Sequence, residues 1–492
     1  MAATHYLACD LGAESGRVML GTLDGGRLTL QELHRFPSAA MKIGDTLRWD
    51  VLRVFEELKA GMREAARLGV PVAGISTDSW GVDYVWVRDG EPLLAVPFHY
   101  RDARGDDAFD RVFAKVPADD IFARTGIQFM PFNTLFQLDD DARRRPWVFG
   151  VSDRFLNIAD YFNWLMSGVA RAEESLASTT QIYDPAARQW AWDLAEKIGV
   201  PREVFPSIVP SGSRLGPLVS TLAEETGLAG VDVLATCSHD TGAAVAAVPA
   251  EGSGWAYLSS GTWSLLGVEL PAPKIDATSR ALNFTNEGGY GGTTRFLKNI
   301  VGLWIVQECR RAWAAEGRVF NYEELTSMAA SAEPLRSLIS PLAPRFGKPG
   351  GMPEKVRDFC AATGQPVPES PGQIVRCALE SIALVYRKTL AELERAAGVA
   401  IDRIHIVGGG CRNALLNQCA ADATGRTILA GPVEATATGN VLIQALALGH
   451  LDSLDSLRQV VRSSFEVTTY EPRDREVWDE AFGRFEALPE DP

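Results

Sequence analysis

Val233-Leu-Ala-Thr-Cys-Ser-His-Asp-Thr-Gly-Ala-Ala-Val-Ala-Ala-Val248 is the stretch that decides the fold. An apolar run ends in small residues, a His-Asp-Thr triplet follows, and a Gly/Ala/Val segment of helical character opens directly behind it. The pattern predicts a strand that delivers polar side chains to a helix N-terminus. Unpaired N–H groups and a partial positive charge there suit an anion or a reacting hydroxyl. Asp240 is either the carboxylate of a general base or an N-cap, the commoner use of Asp at a helix start.

Downstream, Pro249-Ala-Glu-Gly-Ser-Gly254 breaks the pattern and marks a domain boundary. Trp255 to Leu270 then repeats the design of Tyr6 to Leu23: an apolar strand, a small polar turn, an apolar strand. At the N-terminus the turn runs from Gly12 to Gly16, with Asp10 before it and Arg17 beside it. Such a glycine-rich tip offers main-chain N–H groups that can hold phosphate. Two hairpins of this kind suggest a duplicated α/β fold, although strand–turn–strand is common in itself. A chain of 492 residues is too long for one ordinary core. The expected division is 1–248, 249–450 and a tail 451–492, with the ligand in a cleft between the two domains. Whether the tail packs back on the first domain stays open.

Between these landmarks, Trp49 to Leu68 has helical periodicity, and two apolar strands flank Asp78-Ser-Trp-Gly-Val-Asp83. Polar and aromatic residues crowded between strands suit a sugar, and equally a tight turn with a packed Trp80. The charge run Asp139 to Arg145 reads as a solvated face. From Arg295 a loop leads into an amphipathic helix, with Asn299 expected at its start and Gln307 on a later turn. Glu380 to Ala397 is a periodic helix. Arg403 to Gly410 is a strand ending in three glycines, against which a flat ligand can lie. The dinucleotide fingerprint, the phosphate-loop motif, His-Glu-x-x-His and Gly-x-Ser-x-Gly are all absent.

Composition narrows the class. Hydrophobic content of 46% with 23% charged residues is that of a soluble globular protein. A net charge of -15 argues against nucleic acid and anionic membranes as partners. No signal peptide and no bilayer-length apolar run are evident. Seven cysteines without a Cys-x-x-Cys pair fit reduced thiols and a cytoplasmic location. Cys360 and Cys377 could bond only if the fold brings them together.

Seven motifs in order resemble the FGGY family of carbohydrate kinases nearly end to end: Asp10–Arg17, Asp78–Asp83, Gly126–Asn133, Ser238–Thr241, Leu258–Ser264, Leu297–Trp304 and His405–Cys411. The resemblance implies two ribonuclease-H-like, actin-type α/β domains. It also implies ATP and Mg²⁺ as cofactors, a ketose as partner, and a monomer or weak homodimer. The activity implied is phosphorylation of L-rhamnulose at its 1-hydroxyl. Another ketose (L-fuculose, L-xylulose or D-xylulose) is an alternative, and so is a non-catalytic nucleotide clamp. Carried over by position, Asp240 matches the proton acceptor, and Gly81, His239, Thr241 and Asn299 join it at the sugar. Ala13, Glu14, Ser15, Gly16 and Arg17 match the first phosphate hairpin and Thr262 the second. Gln307 and Gly409 match the nucleotide pocket, and Asp10 the acidic residue that steadies Mg²⁺. Glu14 stands where some relatives carry Ser, and is expected to point away or to meet the metal's water shell.

Overall fold

A computed structural model describes residues 3–38, 40–93 and 96–491. The chain divides into two units. The first comprises the chain through Pro249 together with Glu269–Phe296 and Ala435–Phe465; the second comprises Ala250–Val268, Leu297–Glu434 and the chain from Glu466 on.

The first unit is built on strands β1 (Thr4–Leu11), β2 (Ser15–Asp24), β3 (Arg27–Pro37), β4 (Val72–Ser79), β5 (Ser213–Pro217) and β6 (Asp232–Ala235), in the order β5-β6-β4-β1-β2-β3. β1 and β2 form an antiparallel hairpin, while β4 runs parallel to β1 and β6 parallel to β4. Tyr6 to Leu11 are buried without interruption because both faces of β1 are covered. Leu7, Cys9 and Leu11 pack with helix α1 (Val51–Arg67), whose Val51, Val54, Leu58, Met62 and Ala65 form an apolar stripe at helical spacing. Tyr6 and Ala8, pointing the other way, pack with Val441 of the helix Ala435–Ala447 and Leu457 of the helix Leu454–Ser464. The first part of the expected tail thus packs on the first unit's sheet, and the chain from Glu466 lies with the second unit.

The second unit repeats the plan. In a seven-stranded sheet, strands β7 (Trp255–Ser260), β8 (Trp263–Leu270), β9 (Thr294–Val301), β10 (Arg403–Val407), β11 (Thr427–Ala430) and β12 (Thr468–Tyr470) run in the order β9-β8-β7-β10-β11-β12, and the short strand Thr285–Gly288 pairs with the outer edge of β9. β7 pairs antiparallel with β8 and parallel with β10, and β10 parallel with β11. The order β9-β8-β7-β10-β11 reproduces β3-β2-β1-β4-β6, which is the duplication expected from the two hairpins.

Three sequence expectations need correction. The Asp139–Arg145 run is not a solvated face: Asp139, Asp140 and Asp141 are buried. They lie on the helix Thr134–Arg144 and are charge-paired with Arg104, Arg111, Lys115, Arg143, Arg144 and Arg145. Pairing offsets the desolvation that would otherwise exclude three adjacent carboxylates from the interior. Asn299 lies within strand β9, before the helix Trp304–Ala315 rather than at its start. The helix read from Glu380 begins earlier, spanning Pro371–Ala397. Its start is marked by a Ser370/Gln373 capping box and a proline in the first turn. All seven cysteines are free and buried, and Cys360 and Cys377 form no disulfide. Among the described residues no helix is long and apolar enough to cross a membrane.

Candidate active site

In the first unit, β4 and β6 finish side by side, so the ends of two parallel strands meet at one place. The Ser79 N–H donates to the Ser238 carbonyl at 2.9 Å, which sets Trp80-Gly81 beside His239-Asp240. Glu173, fully buried, fixes the segment from behind. Its carboxylate accepts the N–H groups of Ser175 at 2.9 Å, Leu176 at 3.2 Å and Ser238 at 3.0 Å, along with the Ser211 hydroxyl. Ser175 Oγ in turn accepts the His239 N–H at 3.0 Å.

The helix that follows, Asp240–Ala246, has His239 at its N-cap position with no side-chain capping bond. Asp240 is therefore the first helical residue and not the cap. Its Oδ1 accepts from Thr241, the N–H at 2.6 Å and the hydroxyl at 3.2 Å, and about a third of its side chain is exposed, 32%. Withdrawal from water raises its proton affinity first, and the nearby Asp10 charge adds to that; His239 and the Thr241 hydrogen bonds oppose it, and the net shift is upward. A carboxylate with raised proton affinity and an open face suits a general base.

His239 sits in a network that the sequence did not announce. Arg295 NH2 meets His239 Nδ1 at 3.0 Å. A guanidinium only donates, so Nδ1 accepts and the ring proton is on Nε2, which stands 3.4 Å from Asp240 Oδ1. Glu287 Oε2 lies 3.1 Å from Arg295 NH1 and 3.3 Å from His239 Nδ1. Burial would raise the Glu287 carboxyl, but the Arg295 guanidinium outweighs it and holds it below the usual range. The only sequence trace of this pair is one Glu and one Arg in two short strands.

Asp10 on β1 is in register with Asp78 on β4 and makes a salt bridge to Arg17 on β2. Asp78 is fully buried; burial, followed by the Asp10 charge, pushes its carboxyl well up, while its Oδ2 accepts from Asn440 at 2.5 Å. The hairpin tip is shorter than the sequence suggested. Gly12, Ala13 and Glu14 make the turn, and Ser15, Gly16 and Arg17 already belong to β2. The Glu14 side chain is exposed.

In the second unit the corresponding tip is Gly261-Thr262. The Leu303 N–H donates to the Gly261 carbonyl at 2.9 Å and the Trp304 N–H to that of Thr262 at 3.2 Å, which docks the tip on the start of the helix carrying Gln307. Gln307 Oε1 is buried and accepts no hydrogen bond among the described residues, which leaves it fit for a ligand's donor. Gly408 and Gly410 press on Ser260, where a Cβ would meet Ser260 O at 3.1 Å and Ser260 Oγ at 2.0 Å respectively; between them, a Cβ at Gly409 would meet nothing within 4 Å. Thr262, Gln307 and Gly409 are thus linked through one hairpin. Lys298 is held by Glu392 at 2.8 Å. Asp240, His239, Thr241, Gly81 and the Asp10–Arg17 hairpin lie in the first unit, whereas Thr262, Asn299, Gln307 and Gly409 lie in the second.

Comparison with known proteins bears on the family and the fold. Residues 5–247 match the N-terminal domain, and residues 256–448 the C-terminal domain, of the FGGY family of carbohydrate kinases. The chain is 42% identical over 481 residues to a rhamnulokinase of Bacteroides thetaiotaomicron, covering 98% of each. It is 35% identical over 469 residues to a rhamnulokinase of Bacillus subtilis, covering 95% of this chain and 96% of the other. Among solved structures, a ligand-bound xylulose kinase from Lactobacillus acidophilus superposes with a TM-score of 0.79 at 14% identity, covering 98% of this chain and 97% of the other. A Plasmodium falciparum glycerol kinase with ADP gives 0.78 at 17% identity, with 98% and 97% covered. Those two likenesses bear on the fold; full-length matches to both family domains bear on the lineage, and the chain belongs to the FGGY family of carbohydrate kinases.

Proposed function

We propose that this kinase transfers the γ-phosphate of ATP to the 1-hydroxyl of L-rhamnulose. The observation that carries the chemistry is Asp240, a part-open carboxylate of raised proton affinity, freed from capping and flanked by the Nε2–H of His239. Full-length relatives named rhamnulokinase, at 35–42% identity, support the choice of sugar.

Phosphoryl transfer asks a protein mainly for positioning and charge stabilisation. In this reading Asp240 aligns the ketose hydroxyl and accepts its proton late, as the new P–O bond forms and the bond to ADP breaks. His239 and Thr241, with Gly81 and Asn299, hold the sugar's other oxygens. The tips at Ala13–Arg17 and at Thr262 offer donors to the phosphates, while Gln307 and Gly409 receive the nucleoside. The acidic groups fit Mg²⁺ in one way only. No group of three or more ligating side chains occurs among the described residues, and Asp10 is shared with Arg17. Asp10 is the residue that would hold a cation entering with the triphosphate. Mg²⁺ so placed supplies charge neutralisation on the phosphates. The acidic chain and its seven free thiols fit work in a reducing cytoplasm.

The test is a coupled ADP-release assay with ATP, Mg²⁺ and a panel of L-rhamnulose, L-fuculose, L-xylulose and D-xylulose. L-Rhamnulose is expected to give the highest kcat/KM; a higher value with any other ketose overturns the assignment of the sugar.

The raised proton affinity of Asp240 also gives a pH dependence. Below its pKa the carboxyl already carries a proton and cannot accept another. The acid limb of kcat/KM, which reports the free enzyme, should therefore have a midpoint above the ordinary aspartate value of 3.8. A limb at or below that value would contradict the role.

A further inference from the structure

The loop that carries Gly81 contains a backbone conformation that its sequence should avoid. Val82 has φ +69°, a region costly for a β-branched residue, where only glycine is at ease. The Asp83 N–H donates back to the Gly81 carbonyl at 2.9 Å, closing a three-residue turn of the rare, strained hand.

What imposes this conformation can be named. The Val82 carbonyl accepts from Thr134 Oγ1 at 2.7 Å and from Gln137 Nε2 at 3.2 Å. Asp83, fully buried, is tied down on every side: Oδ2 accepts from Trp49 Nε1 at 2.7 Å, Trp80 Nε1 at 3.1 Å and the Tyr100 N–H at 3.1 Å, and Oδ1 from Gln137 Nε2 at 3.0 Å. Burial lifts the Asp83 carboxyl to about 6, against the pull of these donors. The opposite wall is as tight, since a Cβ on Gly81 would lie 2.7 Å from Thr179 Oγ1. Two residues beyond, Gln181 is also held at positive φ, +63°, with its amide bonded to the Ile127 carbonyl at 3.1 Å and its oxygen to Asn133 Nδ2 at 2.9 Å. Three loops, 79–83, 126–133 and 178–182, are therefore knitted around a turn of which only Gly81 and Val82 stay partly open.

We infer that Val82 is a strained positioning residue of the sugar site. The clamp of Thr134, Gln137 and Asp83 holds it at positive φ, and that conformation sets the Gly81 backbone beside His239-Asp240, where the ketose is read to bind. This inference rests on the reading of Asp240 as the group that meets the ketose's reacting hydroxyl. It differs from a packing role in one respect. If strain opposes the clamp, removing part of the clamp lets Val82 relax and moves Gly81, and removing the strain as well restores the turn, because glycine accepts the same φ.

The experiment compares four proteins: the parent chain, Thr134→Val, Val82→Gly and the double variant. Thr134→Val is nearly isosteric and deletes one hydrogen bond. It should raise the ketose KM about fivefold, the worth of one such bond, with kcat within about twofold and the ATP KM unchanged. Val82→Gly alone relieves the strain and should melt no lower than the parent. The double variant should return to within about twofold of the parent KM. An unchanged ketose KM in Thr134→Val, or a double variant no better than Thr134→Val, overturns the inference while leaving the reading of Asp240 intact. A parent chain that turns over no ketose overturns both.

Discussion

Asp240→Asn should lower kcat by roughly a hundredfold to ten-thousandfold, the span usual for loss of a general base, while ketose binding stays measurable by calorimetry. The substitution keeps the shape and an oxygen that can still accept from the Thr241 N–H. It removes the site that takes the proton. Transition-state stabilisation falls more than ground-state binding, so kcat and kcat/KM should drop together. Residual turnover is expected, because the phosphate-binding tips and the sugar contacts remain. Normal kcat in this variant would reduce Asp240 to a structural residue at a helix start.

The second large effect lies behind the same helix. Gly439, on the helix Ala435–Ala447, faces the carbonyl of Ala243, and a Cβ there would stand 1.8 Å from that oxygen and 2.5 Å from its carbon. Both atoms are backbone, so neither can turn aside as a side chain would. Gly439→Ala must push the two helices apart, and overpacking of this kind costs typically 1–3 kcal/mol, and more where the obstacle is rigid. The displaced helix is Asp240–Ala246, so activity should fall along with stability. We expect urea melts to show a loss at the upper end of that range and kcat to fall at least tenfold at temperatures where the variant is folded. Unchanged stability and unchanged kcat would mean that these helices do not meet at Gly439.

What the sequence conveyed, and what it withheld, follows from the range of each interaction. The two hairpins and the strand leading to His239-Asp240 were legible because period and turn chemistry are local, and the five-strand order shared by the two sheets fits the duplication those hairpins suggested. The sugar-kinase lineage was legible because seven short motifs stand in one order. Segment membership was harder. Glu269–Phe296 and Ala435–Phe465 group with the first unit although they follow the 248/249 boundary in sequence, and nothing local marks such a return. The buried Asp139–Asp141 run read as surface because its partners Arg104, Arg111 and Lys115 are distant in the chain. Arg295 and Glu287 escaped for the same reason: their relation to His239 exists only in three dimensions. Val82 carried no signal at all, since a valine at positive φ contradicts its own propensity and is held there by neighbours about fifty residues away.

The account stands or falls on where the phosphate goes. Phosphorus NMR of the product made from ATP and L-rhamnulose is predicted to show a phosphate ester coupled to the two C1 methylene protons, formed in step with ADP. Phosphate found on another carbon, or free phosphate accumulating with ADP while the sugar stays unmodified, would contradict it.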